Sequence, residues 1–190
     1  MNGANIFGEK FGRPWCKAGF RLSGGCVFTY FSCAGRNSSI DVIVNANEQS
    51  CAFAAAGVYR AGDRVGVAIV TSGPAITNTL TVVADSNADS IPLLVFAGQV
   101  PSGKMETDEF QHIDVRRVFA KAAKKVILVA ETCKIDEIVK DASFFAKSGK
   151  PRPVVIDFPM DVQVSKSDHA GIDSEVYRKK YEDERHLVIN

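Results

Sequence analysis

The chain has 190 residues, of which 23 are basic and 22 acidic, so its formal net charge is only +1. This length predicts one domain, and the charge balance argues against nucleic acid or an anionic membrane as a partner. No apolar run reaches the ~18 residues of a membrane span, and no signal peptide is visible. Five cysteines without a CxxC pair predict reduced, buried thiols in a cytoplasmic protein, and they offer no zinc site.

The N-terminal part of the chain has little regular pattern. Residues 1–19 are interrupted by glycine and proline, which predicts an irregular segment. Residues 20–25 end in Gly24 and Gly25, and this pair predicts either a tight bend or a close approach of the backbone to a ligand. The bend is the simpler interpretation. Residues 26–35 fit a strand or a short buried helix.

From residue 40 onward, apolar strands alternate with helical patterns, and a long polar loop interrupts them once. Such alternation builds βαβ units, whose strands form a parallel sheet with helices on both faces. We therefore predict a three-layer, doubly wound α/β domain over residues 20–164 and a charged tail or linker over residues 165–190. The predicted strands are 40–45, 65–70, 91–97, 125–130 and 154–157, the helices 48–61, 75–88, 114–124 and 133–146, and the loop 99–113.

The junction between the strand at 40–45 and the helix that follows carries a candidate carboxylate. Asn47 is a good helix N-cap, so Glu48 should lie in the first helical turn, where the strand has just ended. Ligands of open α/β sheets bind at that edge, and an Ala-rich, apolar helix would hold the carboxylate partly out of water. From this stretch alone, the simpler interpretation is that Glu48 complements the helix dipole.

Phosphate-binding motifs are absent from the sequence, since neither GxGxxG nor GxxxxGK[ST] occurs. The turn Ser72-Gly73-Pro74 opens a helix and could bind an anion through backbone N–H groups. Pro74 lacks one of those donors, which weakens that hypothesis. His112 is the only histidine beside a candidate site, and no Ser-His-Asp or Cys-His signature accompanies it.

Four segments occur in an order and at a spacing that a known family shares: NEQSCAFAAAGVYRA, VAIVTSGPAITNTLTVVADSNADSIPLLVFAGQVP, METDEFQ and PVVIDFPMDVQ. They resemble the N-terminal, pyrimidine-binding domain of thiamine-diphosphate enzymes. They are most similar to the branch of acetolactate synthase, oxalyl-CoA decarboxylase and 2-hydroxyacyl-CoA lyase. The resemblance runs from about Phe20 to Gln163 and implies a flavodoxin-like fold.

The resemblance also implies a cofactor, thiamine diphosphate with Mg²⁺, and a catalytic role for Glu48. The matching glutamate hydrogen-bonds N1′ of the aminopyrimidine and shares a proton with it. This drives the 4′-amino group toward the imino tautomer that removes the thiazolium C2 proton. The other implied site residues are Pro74 and Asn78 in the turn that lines the pyrimidine, Phe110 and the catalytic Gln111 in the loop that faces the substrate, and Gly24 and Gly25 near the cofactor.

The sequence departs from the family pattern at several places. Leu22-Ser23 replaces the aromatic-proline pair before the glycines, and Ala75 replaces the glycine that follows Pro74. In the family, a separate domain holds the diphosphate and Mg²⁺ through a Gly-Asp-Gly motif that is followed by an asparagine. Residues 1–190 contain no such motif. The sequence therefore offers no metal ligands, and we expect this chain alone to bind the cofactor weakly or not at all.

Three hypotheses follow from the resemblance and the departures. The chain is the pyrimidine-binding half of a split lyase or transferase that cleaves or joins C–C bonds of 2-oxo acids or 2-hydroxyacyl-CoA. Alternatively, it is a non-catalytic assembly or structural module, or an excised piece of a longer enzyme. All three predict a homo-oligomer or a second chain with the diphosphate-binding domain. The helix face of Ala52, Ala55, Ala56 and Tyr59 would make that contact or belong to the intrachain core.

Overall fold

A computed structural model describes residues 18–21, 41–62 and 64–167 of the chain. The strands in this part form one six-stranded sheet whose neighbouring strands all run parallel. They are β1 (Ala18–Arg21), β2 (Asp41–Val44), β3 (Gly66–Val70), β4 (Leu93–Gln99), β5 (Lys125–Leu128) and β6 (Val154–Pro159). Their order across the sheet is β2-β1-β3-β4-β6-β5, so the winding direction changes between β1 and β3.

Helices cover both faces of this sheet. Those described are α1 (Glu48–Gly62), α2 (Pro74–Asn78), α3 (Leu80–Ala88), α4 (Val115–Phe119), α5 (Ile135–Lys147) and α6 (Met160–Val164), with 3₁₀ turns at Ser102–Lys104 and Thr132–Lys134. Side chains of α1 to α4 form the core on one face, and side chains of α5 and α6 form the core on the other. The predicted three-layer, parallel α/β fold is therefore confirmed.

The central strands are predominantly apolar because both of their faces are covered. Every residue of β3, β4 and β6 is buried. Along β4, Leu93 and Val95 face the helices α1 to α4, whereas Leu94 and Phe96 face α5. This alternation matches the period of two in a strand and leaves no position for a solvent-facing polar residue.

Helix α1 is docked on β3 at very short range. A Cβ atom at Gly66 would lie 1.8 Å from the carbonyl oxygen of Ala55, so only glycine fits there. Ala52, Ala55 and Ala56 are buried at 0%, 0% and 3% exposure, so of the two predicted roles for this helix face the intrachain core is correct. The contact fixes the position of α1, and with it the position of its first turn.

Strand β1 corrects the predicted N-terminal organisation. Ala18–Arg21 lies where we predicted the end of an irregular segment and the start of a turn, yet it pairs with β2 on one side and β3 on the other. Its sequence, AGFR, contains a single strong strand former, so local propensity cannot reveal it. It is a strand because it pairs with a neighbouring strand on each side, and these pairings leave no signal in the local sequence.

Several predicted boundaries also differ from the structure. The single helix predicted at 75–88 is two helices separated at Thr79, whose hydroxyl donates to the carbonyl of Ile76 at 2.7 Å. The basic helix predicted at 114–124 is shorter, and the strand predicted at 125–130 ends at Leu128. Helix α6 was not predicted at all.

Two further predictions concern cysteines and membrane segments. Cys51 is buried and free, as predicted, but Cys133 is exposed, so the prediction of buried thiols is wrong for that residue. Within the described part of the chain, no helix is long and apolar enough to cross a membrane. Gly24, Gly25, residues 26–35 and residues 168–190 lie outside the described residues.

Candidate functional site

The first turn of α1 is fixed by a side-chain cap. The Oδ1 atom of Asn47 accepts hydrogen bonds from the backbone N–H groups of Gln49 at 2.9 Å and Ser50 at 3.2 Å. Such a cap pairs two of the N–H groups that a helix leaves without intrahelical partners, so the helix starts here and not a residue later. The predicted N-cap is confirmed, and Glu48 follows it as the first residue of α1.

The carboxylate of Glu48 is tied to a second element. The side-chain amide of Asn78, at the C-terminal end of α2, donates to Glu48 Oε2 at 3.0 Å across 30 residues of sequence. Glu48 is half-buried, and among the described residues its other oxygen, Oε1, accepts no hydrogen bond. The geometry therefore presents an oriented carboxylate with one free oxygen, which is what a proton-sharing acceptor needs.

The other end of α2 contacts the polar loop. Gly73, just before Pro74, adopts a positive φ of 64°, and a Cβ atom there would lie 2.9 Å from both Cα and O of Gln111. Gln111 itself has a positive φ of 62°, which is uncommon for a residue with a side chain. The turn and the loop thus meet backbone to backbone, and glycine is required at position 73.

Helix α2 links the two parts of the site. Asn78 at one end of α2 contacts Glu48, and Gly73 at the other end contacts Gln111. Five helical residues span roughly 7.5 Å, so the contacts with Glu48 and with Gln111 are separated by about one short helix. Pro74, at the first position of α2, lies between them and is exposed.

Phe110 is not packed with these residues. Its side chain is 83% exposed, although it neighbours Gln111 in the chain. Gly24 and Gly25, the remaining predicted site residues, lie outside the described residues. The structure therefore brings together Glu48 with Asn78 and Gln111 with the turn before Pro74, and it leaves Phe110 in solvent.

A buried thiol lies directly behind the candidate carboxylate. Burial raises the pKa of Cys51 to about 12, a hydrogen bond with the backbone of Ile69 lowers it, and the charge of Glu48 raises it. A thiol with so high a pKa stays protonated near neutral pH and is a poor nucleophile. Cys51 therefore packs the base of the site and has no covalent role there.

Sequence reasoning did not identify Asp157, a buried acidic residue near this edge. Burial raises the pKa of Asp157, on β6, to about 7, a hydrogen bond from Gln99 lowers it, and the charge of Asp114 raises it. Its only sequence signal is its place in the segment PVVIDFPMDVQ, where a carboxylate stands among buried apolar residues. The apolar residues around it are typical of a strand buried on both faces, and an acidic residue within such a strand is the signal that could have identified Asp157.

The site fits the pyrimidine end of the implied cofactor better than its diphosphate end. Glu48 offers the acceptor oxygen that a ring nitrogen carrying a proton requires. In contrast, no three His, Cys, Asp or Glu side chains among the described residues are grouped so that they could hold a metal ion. Mg²⁺ that is bound to a diphosphate needs oxygen ligands, such as the carboxylates that a group of this kind would supply.

A cavity lies elsewhere in the molecule. It has a volume of about 610 Å³ and lies at the C-terminal end of α1, where Arg60 forms ion pairs with Asp85 and Asp89. Since α1 has 15 residues and is roughly 22 Å long, this cavity is at the opposite end of the helix from Glu48. The cavity is open and its charged side chains are already paired, so it is no part of the candidate site.

Comparisons with known proteins agree with this geometry. The family model of the thiamine pyrophosphate enzyme, N-terminal TPP binding domain, matches residues 16–118. That range contains Glu48, Asn78 and Gln111 together with the strands β1 to β4.

The curated relatives are acetolactate synthases. The chain is 37% identical over 161 residues to acetolactate synthase 3, chloroplastic, of Brassica napus, which covers 85% of this chain and 25% of the relative. It is 37% identical to the probable acetolactate synthase large subunit of Methanococcus aeolicus (86% and 27%) and 34% identical to the mitochondrial acetolactate synthase catalytic subunit of Saccharomyces cerevisiae (85% and 24%). The chain thus spans about a quarter of the length of these relatives.

Proposed function

This chain belongs to the thiamine pyrophosphate enzymes, as an acetolactate synthase-like N-terminal TPP-binding domain, and on that premise we propose that it is the pyrimidine-binding part of a C–C lyase or transferase. Its substrates would be 2-oxo acids or 2-hydroxyacyl-CoA. The names of the relatives, all acetolactate synthases, favour a 2-oxo acid. When bound, the cofactor would supply a nucleophilic carbon, the C2 atom of its thiazolium ring.

The observation that carries this proposal is the hydrogen bond from Asn78 to Glu48. It orients the carboxylate through Oε2 and leaves Oε1 available for a proton on a ring nitrogen. Glu48 would thus hold a shared proton at Oε1, and Asn78 would keep the carboxylate from turning away. Gln111 would face the substrate from the other end of α2, and Pro74 would line the ring.

We assign the diphosphate and Mg²⁺ to a different domain, on a partner chain or in a longer protein of which this sequence is a piece. The chain spans about a quarter of the relatives, and the described residues lack a group of metal ligands. The surface that would meet such a partner lies on the outer side of α1, where Gln49, Ser50 and the 43% exposed Phe53 face solvent.

Calorimetric titration with thiamine diphosphate and Mg²⁺ tests the proposal, with and without a chain that carries the diphosphate-binding domain of an acetolactate synthase. We expect binding and turnover only in the mixture, and loss of turnover by Glu48→Gln, which keeps the shape of the side chain and removes its charge. The matched control is Glu131→Gln, an exposed glutamate paired with Lys134 away from the site, and it should behave as the unaltered chain.

The alternative is a non-catalytic assembly module. A chain that joins the partner but binds no thiamine diphosphate under either condition would refute the catalytic proposal and support the module. Equal turnover of the Glu48→Gln and Glu131→Gln mixtures would refute the role of Glu48 while leaving the assembly intact.

A further inference from the structure

The loop between β4 and α4 carries Phe110 and Gln111, and its first part is attached to α6. The backbone N–H of Ser102 donates to Asp161 Oδ1 at 3.0 Å, and its hydroxyl donates to Asp161 Oδ2 at 2.5 Å. Within the loop, Lys104 Nζ lies 2.9 Å from Glu109 Oε2. These contacts lie on the surface and hold the first half of the loop.

A single buried side chain joins the two ends of the same loop. Gln99, the last residue of β4, has no exposed surface. Its Nε2 atom donates to the carbonyl of Ile113 at 3.0 Å, and its Oε1 atom accepts from the backbone N–H of Val100 at 2.9 Å. Because Ile113 follows Gln111 by two residues, Gln99 sets where the functional end of the loop leaves the sheet.

Gln99 rests on a buried carboxyl group of the neighbouring strand. β4 and β6 pair in parallel, and Gln99 and Asp157 share the face of the sheet that Val95 and Val155 also occupy. Asp157 is 5% exposed, the Gln99 amide acts on its carboxyl group, and among the described residues its Oδ1 atom has no hydrogen-bond partner. A carboxyl group in such a place is stable only while it holds a proton.

Within the described part of the chain, one further charge acts on Asp157. From β4 comes the neutral amide of Gln99, and from the N-cap of α4 comes the carboxylate of Asp114, which repels a second negative charge. On the side of β5, the backbone N–H of Val129 donates to the backbone carbonyl of Asp157 and not to its side chain. No cation among these neighbours is available to stabilise ionised Asp157.

We propose that Gln99 and Asp157 form a positioning pair that holds the Gln111 loop against Gly73, and that loss of the Asp157 proton releases that loop. The pair itself is independent of the cofactor, whereas its relevance to catalysis rests on the proposed function of Gln111. Once ionised, Asp157 is repelled by the carboxylate of Asp114. A shift of the N-terminus of α4 would reduce this repulsion. That shift would also move Ile113, which is hydrogen-bonded to Gln99 at the end of the loop. Neither residue touches the substrate, so both are positioning residues.

Amide hydrogen exchange of the full chain tests the pair without cofactor. The reporter is the backbone N–H of His112, which donates to the carbonyl of Glu109 at 3.0 Å inside the loop. A group with the pKa of Asp157 passes from about 10% to about 90% ionised between pH 6 and 8, so the protection of His112, corrected for intrinsic exchange, should fall about tenfold over that range. In Asp157→Asn, which keeps the shape and cannot ionise, protection should stay within about twofold.

Two variants separate this pair from the other attachments of the loop. Gln99→Leu should accelerate exchange of His112 at both pH values, because Ile113 and Asp157 lose their partner. Ser102→Ala, the matched control, should loosen the first half of the loop and leave the pH dependence at His112 unchanged. If Gln99→Leu does not fold, the comparison with Asp157→Asn decides alone.

The proposal is overturned by an equal fall in protection in the unaltered chain and in Asp157→Asn, or by unchanged exchange in a folded Gln99→Leu. These results do not depend on thiamine diphosphate. A chain that fails to bind the cofactor but shows the pH step in His112 would retain the positioning pair and lose only the catalytic role of Gln111.

Discussion

Asn78 and Glu48 come from different helices, and their hydrogen bond is the feature on which the chemistry of the site depends. We predict that Asn78→Ala lowers the turnover of the completed enzyme at least about tenfold, because an unoriented carboxylate shares its proton less effectively. The free energy of unfolding should change by no more than about 1 kcal/mol, since the bond is exposed to water. Turnover and denaturant unfolding measure the two effects.

The control for this prediction is Thr77→Ala, which truncates the neighbouring residue of α2. Its hydroxyl donates to the carbonyl of Pro74 at 2.8 Å and does not reach Glu48. A loss of turnover in Thr77→Ala as large as in Asn78→Ala would show that damage to α2, and not the lost hydrogen bond, is responsible.

Asp157 makes a separate prediction about stability and pH. Its pKa is about 7 in the folded chain against an ordinary 3.8, so the folded state keeps a proton that the unfolded state has already lost. The stabilising effect of this proton is complete below about pH 4 and disappears as pH rises to about 7. We therefore expect the free energy of unfolding of Asp157→Asn to change little with pH over this range. Near pH 8 it should exceed that of the unaltered chain by a few kcal/mol, since each pKa unit corresponds to about 1.4 kcal/mol.

Denaturant unfolding of both proteins between pH 4 and 8 measures this difference. The two curves should approach each other toward pH 4 and separate toward pH 8. A gap that does not depend on pH would mean that Asp157 titrates normally in the folded chain.

Helix α2 and the loop meet at Gly73, and this contact determines how the elements of the site fit together. We predict that Gly73→Ala destabilises the fold by about 1–3 kcal/mol, because its Cβ would press on Gln111 at a positive φ. The matched control is Gly103→Ala in the same loop, where an added Cβ has no atom within 4 Å. Thermal unfolding should distinguish the two, and equal behaviour would contradict the contact between Gly73 and Gln111.

Elements could be predicted from the sequence wherever a local pattern determines them. The buried strands β3, β4 and β6 show predominantly apolar runs, and the start of α1 shows a cap residue at Asn47. Strand β1 has no such signal, because AGFR becomes a strand through pairing with two neighbours that lie far away in sequence. The break at Thr79 was missed for a similar reason, since a hydroxyl that bonds the backbone of Ile76 ends a helix that propensity would continue.

The candidate site shows the same limit. Glu48 could be located from its cap and its place after a strand, but its partner Asn78 follows from the resemblance and not from any local pattern. The pair of Gln99 and Asp157 joins two strands that are 58 residues apart in sequence, which the register of β4 on β6 alone reveals. Contacts between distant strands are the part of a site that a single sequence does not contain.

On the scale of the whole molecule, the proposed partner surface lies over the half of the sheet that contains β1 and β3. Phe53 is 43% exposed on the outer side of α1, which also carries the candidate carboxylate. Leu128 is similarly exposed, at 48%, but it lies on β5, the strand at the far edge of the sheet from β2. Three strand spacings separate β3, on which α1 packs, from β5, roughly 14 Å.

This asymmetry yields a prediction for assembly. If the domain completes its site with a partner through α1, Phe53→Asp should weaken the association at least about tenfold, because the aspartate would be buried in an apolar contact without a counter-charge. Leu128→Asp, of comparable exposure, should leave association unchanged, since it lies beyond the reach of that interface. Sedimentation equilibrium of each variant, alone and with the diphosphate-binding chain, measures both. Equal weakening by the two substitutions would mean that the interface is not specific to α1. If Phe53→Asp left association unaffected, the partner would not cover the helix that carries the candidate carboxylate.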